Sequence, residues 1–296
     1  MARKVLLTGA GGRIGTAFRQ FVGDRFDWRL VDRDVSKIED AGNAEVIEAD
    51  LADLETCQRV CEGVDTVVHL AADPSPRADF YESLLDNNIK ACYNIFRAAK
   101  DQGCKRVIWA SSVQVIEGYP LDVQAHPESP IKPMNMYAAA KAFGEAMAHT
   151  FAYAEGLSCI CVRVGGYEGN RVLEKPDGRT LSAFVSRRDL SHLLSQCIEV
   201  KDLQFAIVHG VSDNRYKRMD ITSTRALVGY EPVDDAFQKF EMGITDNDRW
   251  LTEFDRGKSY EAARAVAVHE EVTREASDES TRNESALGES ASGEST

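Results

Sequence analysis

The sequence predicts an α/β fold built on a doubly wound parallel sheet with a small C-terminal substrate cap. Short apolar runs rich in β-branched residues alternate with helical patterns at intervals of about 20 to 35 residues, which is typical of βαβ units. The runs are too short for helices and lack polar alternation, as expected of parallel strands buried on both faces. A glycine-rich turn joins the first such run to the first helix.

The predicted elements follow in order along the chain. The strands are KVLLTG, WRLVD, AEVIEAD, DTVVHLAA, RVIWASS, SCICVRVG and FAIVHGVS. The helices are RIGTAFRQFVG, LADLETCQRVCEG, a long helix over 80–103, a helix from NMYAAAKAFGE to about 153, one near 186–200 and the short ITSTRALVG. After Gly165 the alternation loosens into the polar loop GGYEGNRVLEKPDG. We therefore expect a single domain over 1–258, with its cap elements mainly in 166–258.

The composition excludes some classes of protein. The chain has 296 residues, of which 43% are hydrophobic, so it can bury a substantial core. Its formal net charge of −13 argues against nucleic acid as a partner, because phosphate contacts need clustered lysine and arginine. Residues 259–296 are acidic and rich in Ser and Glu, a composition that predicts a disordered tail. This acidity is compatible with a halophilic origin and equally with a mesophilic one.

The cysteines and the N-terminus bear on the compartment. Seven cysteines are scattered through apolar segments, which favours reduced core thiols over a disulfide framework or a metal site. The start MARKVLLTGAGG has too short an apolar run for a signal peptide, and no run of about 18 apolar residues occurs. We expect a cytoplasmic protein with no membrane partner and no metal.

The stretch VLLTGAGGRIG places Gly9, Gly12 and Gly15 between a strand and a helix, with Arg13 and Ile14 at the helix start. Glycine permits a tight turn and close approach to a pyrophosphate, and a helix N-terminus favours the negative charge of that group. This arrangement predicts a dinucleotide site of the Rossmann type.

Further residues at strand ends extend this predicted site. Asp32 ends the second strand, where a carboxylate can accept hydrogen bonds from a ribose hydroxyl, so it favours NAD. Arg33 beside it leaves NADP open. The other candidates follow the third and fourth strands: Asp50, Leu51, Ala71 and Ala72. Asp32 also fits a solvated acid at a strand end, Asp50 fits a plain helix cap, and the alanines fit a close-packed turn.

Tyr137 and Lys141 lie four residues apart and share one face of a predicted helix. A nearby ammonium favours the phenolate form of a tyrosine, which makes proton transfer feasible. Ser112 ends the strand RVIWASS, where its hydroxyl is placed to hold a reacting oxygen beside Tyr137.

The glycine loop, Asp32, ASS and Y-x-x-x-K, in this order, resemble the extended short-chain dehydrogenase/reductases of the NAD-dependent epimerase/dehydratase family. The resemblance covers about residues 3–240. It implies that Ser112, Tyr137 and Lys141 are catalytic and that Asn88, in NNIKACYN, contacts the cofactor or relays protons. A buried asparagine bonded to backbone is the alternative for Asn88.

More specific similarity is to uronate dehydrogenases and archaeal NAD-dependent glucose-6-phosphate dehydrogenases, in segments such as DWRLVDRD and LSAFVSRRDLSHLL. That branch oxidises the anomeric carbon of a sugar to a lactone. The resemblance implies substrate contacts at Ser75, Ser112, Gln114 and Arg179. The chain departs from the pattern at Val113-Gln114, where the branch has Asn-His, and at Gly166, where uronate dehydrogenases have serine. A pentose, a hexose, a uronate, a sugar phosphate or a non-sugar substrate therefore all stay open.

Two other functions stay open beside a sugar 1-dehydrogenase. One is an NAD-dependent sugar epimerase, and the other is a non-catalytic NAD-binding regulator. A dehydratase is disfavoured, because that class has acids after the catalytic Ser or Thr where this chain has Val113 and Gln114. The resemblance also implies a homodimer or higher homo-oligomer formed through the two long helices.

Overall fold

The computed structural model describes residues 2–168 and 178–240. By its internal contacts the chain divides into two units, Met1–Ile244 and Thr245–Thr296, and all features below belong to the first. The predicted boundary at 258 and the predicted acidic tail over 259–296 lie outside the described residues.

Seven parallel strands form one sheet in the order β3-β2-β1-β4-β5-β6-β9, which confirms the predicted doubly wound architecture. These strands are β1 (Lys4–Thr8), β2 (Asp27–Asp32), β3 (Glu45–Glu48), β4 (Thr66–His69), β5 (Arg106–Ser112), β6 (Ser158–Val164) and β9 (Phe205–Gly210). A second sheet pairs β7 (Gly166–Tyr167) with β8 (Phe184–Val185). This pair was not predicted, because two-residue strands carry no periodic signal.

The described residues contain eight α-helices: α1 (Arg13–Val22), α2 (Leu54–Cys61), α3 (Ala91–Asp101), α4 (Met136–Glu155), α5 (Gly178–Ala183), α6 (Arg187–Glu199), α7 (Thr222–Val228) and α8 (Ala236–Lys239). Single 3₁₀ turns occupy Gly23–Arg25, Val35–Lys37 and Val113–Ile116. The predicted long helix is present, but its first half, Phe80–Lys90, is a wider π-type coil. There the amide of Leu84 donates to the carbonyl of Asp79 at 3.0 Å, one residue further back than in an α-helix.

Apolar side chains cover both faces of the sheet. Phe96, Trp109 and Phe151 pack with the α2–α4 face, and Phe18 and Leu193 pack with the α1–α6 face. The seven cysteines are buried and free, as the sequence predicted: Cys57, Cys61, Cys92, Cys104, Cys159, Cys161 and Cys197. Burial on both faces leaves the carboxyl ends of the strands as the place where polar side chains gather.

Candidate active site

A cleft of about 1000 Å³ runs along the carboxyl ends of the strands. Strand order reverses between β1 and β4, and ligands of open α/β sheets bind in the crevice at such a point. Fifteen of the seventeen predicted site residues line this cleft: Gly9, Gly12, Arg13, Ile14, Gly15, Asp32, Asp50, Leu51, Ala71, Ala72, Ser75, Ser112, Gln114, Tyr137 and Lys141. Asn88 and Arg179 do not line it.

The glycine loop packs too closely against neighbouring backbone to accept side chains at two of its glycines. Gly9 has a φ of +68°, and a Cβ there would lie 2.8 Å from the amide nitrogen of Ala71. A Cβ on Gly15 would lie 2.4 Å from the carbonyl oxygen of Gly9. Gly12 precedes α1 without a side-chain cap, so the first amides of that ten-residue helix point toward the cleft unblocked. A pyrophosphate fits this cradle, because it supplies the acceptors that these amides need.

Asp32 shapes the loop as well as the cleft. Its carboxylate accepts from the amide of Gly11 at 2.9 Å and from that of Asp34 at 3.2 Å. Arg33 donates to Asn87 Oδ1 at 3.3 Å and also lines the cleft. Both Asp32 and Arg33 therefore line the cleft, with the carboxylate bonded to the glycine loop and the guanidinium bonded to Asn87.

The residues that the sequence predicts to transfer protons lie together at the end of β5. Asn135 caps α4 by accepting from the amide of Ala138 at 2.8 Å, which places Tyr137 and Lys141 on the buried face one turn apart. The hydroxyl of Ser112 lies beside Tyr137 and accepts from the amide of Gln114 at 3.2 Å. The Lys141 ammonium donates to the carbonyl of Ala110 at 2.8 Å.

Burial dominates the electrostatics of this group. It raises the pKa of Tyr137, an effect that the neighbouring Ser112 hydroxyl opposes and the Asp73 carboxylate adds to. Burial lowers the pKa of Lys141 to about 8, so the ammonium is charged at neutral pH. Burial also lowers the pKa of the neighbouring His69 to about 3, so this imidazole is neutral. Lys141 thus carries the positive charge beside the tyrosine.

Asn88 positions a loop of the cleft. It is fully buried, its Oδ1 accepts from the amide of Asp73 at 2.9 Å, and its Nδ2 donates to the carbonyl of Asp73 at 3.0 Å. These bonds match the backbone-bonded alternative, and direct contact of Asn88 with a cofactor stays a prediction. Asp73 itself lines the cleft and accepts from the amide of Ser75 at 2.9 Å.

The predicted substrate residues lie in two places. Ser75 and Gln114 line the cleft, and Gln114 Oε1 accepts from Asn135 Nδ2 at 3.1 Å. Arg179 instead forms an ion pair with the buried carboxylate of Glu117. The residues that sequence reasoning missed are chiefly neighbours of predicted ones in the chain: Gly11, Lys37, Asp73 and Asn87.

A buried ion pair anchors α4 behind the site. Arg163 Nε and Nη2 bond the two carboxylate oxygens of Glu145 at 2.8 and 2.9 Å. Ser111, next to Ser112, donates to the same carboxylate at 2.6 Å. This network ties the helix that carries Tyr137 to the strand that carries Ser112.

Within residues 2–168 and 178–240, no three His, Cys, Asp or Glu side chains converge to hold a metal ion. No described helix combines the length and apolarity needed to cross a membrane.

Comparisons with known proteins agree with this geometry. An NAD-dependent glucose-6-phosphate dehydrogenase of Haloferax volcanii is 36% identical over 252 residues, covering 80% of this chain and 95% of that protein. An L-arabinose 1-dehydrogenase (NAD(P)(+)) of the same organism is 29% identical, covering 80% of this chain and 98% of its own length. The crystal structure of uronate dehydrogenase from Agrobacterium tumefaciens matches with a TM-score of 0.72 at 29% identity, covering 81% of this chain and 90% of that one.

The family is shown by a sequence model as well as by these relatives. The model of the NAD dependent epimerase/dehydratase family matches residues 5–206. This span includes the glycine loop, Asp32, Ser112 and the Tyr137–Lys141 pair. The chain therefore belongs to the NAD-dependent epimerase/dehydratase family, and NAD is its cofactor.

Proposed function

We propose that this NAD-dependent oxidoreductase is a sugar 1-dehydrogenase, which oxidises the anomeric carbon of an aldose to a lactone. The observation that carries the proposal is that Ser112, Tyr137 and Lys141 line one wall of the cleft, with Ser112 beside Tyr137. The names of the relatives support the substrate class, because they act on glucose 6-phosphate, L-arabinose and uronates.

In the proposed reaction Tyr137 removes a proton from the anomeric hydroxyl. Its phenolate is the form that accepts this proton, and the charged Lys141 one turn away favours that form. Ser112 holds the reacting oxygen by a hydrogen bond, so that the hydroxyl stays oriented while its carbon loses a hydride. NAD, when bound, supplies the hydride acceptor. General base action contributes about 10² to 10⁴ in rate, and orientation supplies much of the rest.

The residues present fit NAD along the whole cleft. The Gly9–Gly15 loop would hold the pyrophosphate at the start of α1, where glycines let the loop turn tightly against neighbouring backbone. Asp32 would accept from a ribose hydroxyl at the end of β2. Asp50 and Leu51 line the end of the cleft beyond Asp32, where the adenine would lie.

The substrate within this class is set by polar groups near Ser112. Discrimination between sugars rests on paired hydrogen bonds to hydroxyls. Gln114 offers an amide at the position where the similar branch has histidine, and Gly166 offers no side chain. We infer that the chain reads a different set of hydroxyls from a uronate dehydrogenase.

The decisive test is a dehydrogenase screen with free pentoses, hexoses, uronates and hexose 6-phosphates. Each is assayed with NAD and with NADP, at low and high salt, by formation of the reduced cofactor. We expect turnover of one sugar class with a lactone as the first product. Tightly bound NAD and no NADH from any aldose would instead support a sugar epimerase.

Asp32→Asn is expected to lower the ratio of activity with NAD to activity with NADP. The amide keeps the size of the side chain but loses the charge that accepts from a ribose hydroxyl and repels a 2′-phosphate. Loss of a charged hydrogen bond predicts a fall in kcat/KM for NAD of about 10- to 100-fold. Asp34→Asn, at an exposed neighbour paired with Lys37, is the matched control. An unchanged ratio of NAD to NADP activity in Asp32→Asn would contradict the assignment.

A further inference from the structure

The ammonium of Lys141 lies over an aromatic ring. Lys141 Nζ is 4.3 Å from the ring centre of Trp109, and both residues are almost fully buried. The distance to the ring centre of Tyr137 is 5.7 Å. A cation over the face of a tryptophan is attracted to the ring, most strongly where water is excluded. The Lys141 ammonium therefore bonds the Ala110 carbonyl and contacts the face of the Trp109 ring.

The ring of Trp109 is held firmly in this position. Trp109 on β5 lies opposite His69 on β4 in the strand register, and the two rings are 5.2 Å apart. A Cβ on Gly144 of α4 would lie 2.6 Å from the indole, so only glycine lets the helix lie this close to the ring. The sheet fixes one side of the indole and the helix fixes the other.

The surroundings of the indole nitrogen indicate which part of the Trp109 side chain acts on Lys141. Trp109 Nε1 is buried and has no hydrogen-bond partner among the described residues. A buried donor without a partner is unfavourable, and phenylalanine would avoid that cost. Tryptophan nevertheless presents the strongest cation-binding face of the aromatic residues. The face of the ring, rather than its N–H, is therefore the group that acts on Lys141.

We propose that Trp109 is a positioning residue for the proposed reaction, whose π face holds the protonated ammonium of Lys141 beside Tyr137. The inference rests on the proposed role of Lys141 in supporting the Tyr137 phenolate. Trp109 acts through Lys141 and touches neither sugar nor cofactor in this scheme.

The other groups around the ammonium do not supply negative charge. Those that face it are Tyr137 on its own helix, His69 on β4 and Cys92 on α3. Burial lowers the pKa of His69 to about 3 and raises that of Cys92, so both are neutral near pH 7. Glu145, one turn further along α4, is committed to Arg163. Burial lowers the pKa of Lys141 to about 8. The attraction between the ammonium and the Trp109 ring opposes part of this effect, because it stabilises the charged form.

The direct test measures the titration of Lys141 in the cofactor-free protein. The Cε signal of isotopically labelled lysine is followed by NMR against pH, and the Lys141 signal is assigned by its loss in Lys141→Arg. Trp109→Leu should lower the titration midpoint by about one pH unit, whereas Trp109→Phe should retain most of the wild-type value. Trp109→Met, whose longer and more flexible side chain adapts to the space of the ring, takes the place of the leucine variant if that variant does not fold. An unchanged midpoint in the leucine or methionine variant overturns the proposal.

A second readout follows turnover. The alkaline limb of kcat against pH should move to lower pH in Trp109→Leu and much less in Trp109→Phe, while KM for NAD stays near wild type. In a Lys141→Met background the two Trp109 substitutions should give equal rates, because the residue through which Trp109 acts is gone. Unequal rates in the Lys141→Met background would show that Trp109 affects turnover by a route other than Lys141, which would contradict the proposal. If no sugar is oxidised, the proposed function fails, and the NMR titration still decides the role of Trp109.

Discussion

Tyr137→Phe is expected to reduce kcat by about 10² to 10⁴ while leaving NAD affinity unchanged. The substitution removes only the phenolic oxygen, the atom that would accept the proton. The phenyl ring keeps the packing of a side chain that is 8% exposed. The measurement is steady-state turnover of the sugar identified in the screen, together with titration of NAD by calorimetry.

The matched control for this variant lies on the same helix. Tyr153→Phe removes a hydroxyl from α4 at a side chain that is 64% exposed and does not line the cleft. We expect it to turn over at the wild-type rate. Near-normal activity of Tyr137→Phe would exclude Tyr137 as the base, and lost NAD binding would show that the tyrosine serves the cofactor instead.

Glu145→Gln is expected to lower the free energy of unfolding by about 3–5 kcal/mol, because it leaves the Arg163 guanidinium buried without a countercharge. Arg163 is 1% exposed and Glu145 is 5% exposed, so water cannot replace the lost partner. Denaturant unfolding at neutral pH, followed by circular dichroism, measures the change. At low temperature, where the variant stays folded, it should also turn over more slowly, because an amide bonds Ser111 and Arg163 less strongly than the carboxylate does and so holds α4 less firmly.

Two control variants test whether the loss of stability comes from leaving a buried charge without its partner. Glu145→Leu with Arg163→Met removes both charges and should cost much less than the single change, because apolar residues often replace a buried pair without loss. Asp86→Asn breaks the exposed pair with Lys90 and should change stability by less than about 1 kcal/mol. A single variant as stable as wild type would show that the pair is not an anchor of α4.

The parts of the site that were predicted share one property. Gly9, Asp32, Ala71 and Ser112 each follow a strand whose apolar run is visible in the sequence, and parallel strands bring their carboxyl ends to one edge. Position along the chain was therefore enough to place them in one cleft. Tyr137 and Lys141 were placed by helical spacing, which is also local.

The residues that were missed depend on contacts between elements. Asp73 and Asn87 sit beside predicted residues, and nothing in their local pattern distinguishes them from solvated loop and helix positions. The role of Asn88 depends on the loop that it reaches, and Arg179 pairs with Glu117 from a distant part of the chain. These contacts depend on how the loops pack, and loop packing produces no periodic pattern in the sequence.

The sequence by itself determined the doubly wound sheet, the dinucleotide cleft and the tyrosine–lysine pair, because each follows from short-range patterns of apolar, glycine and charged residues. Only the tertiary structure decided which side chains surround that pair. Trp109 lies beneath Lys141, and Arg163 neutralises Glu145, through packing of α4 against β5 and β6. Side chains that meet across a helix and a sheet are far apart in the chain, and their contact exists only once the apolar faces have packed.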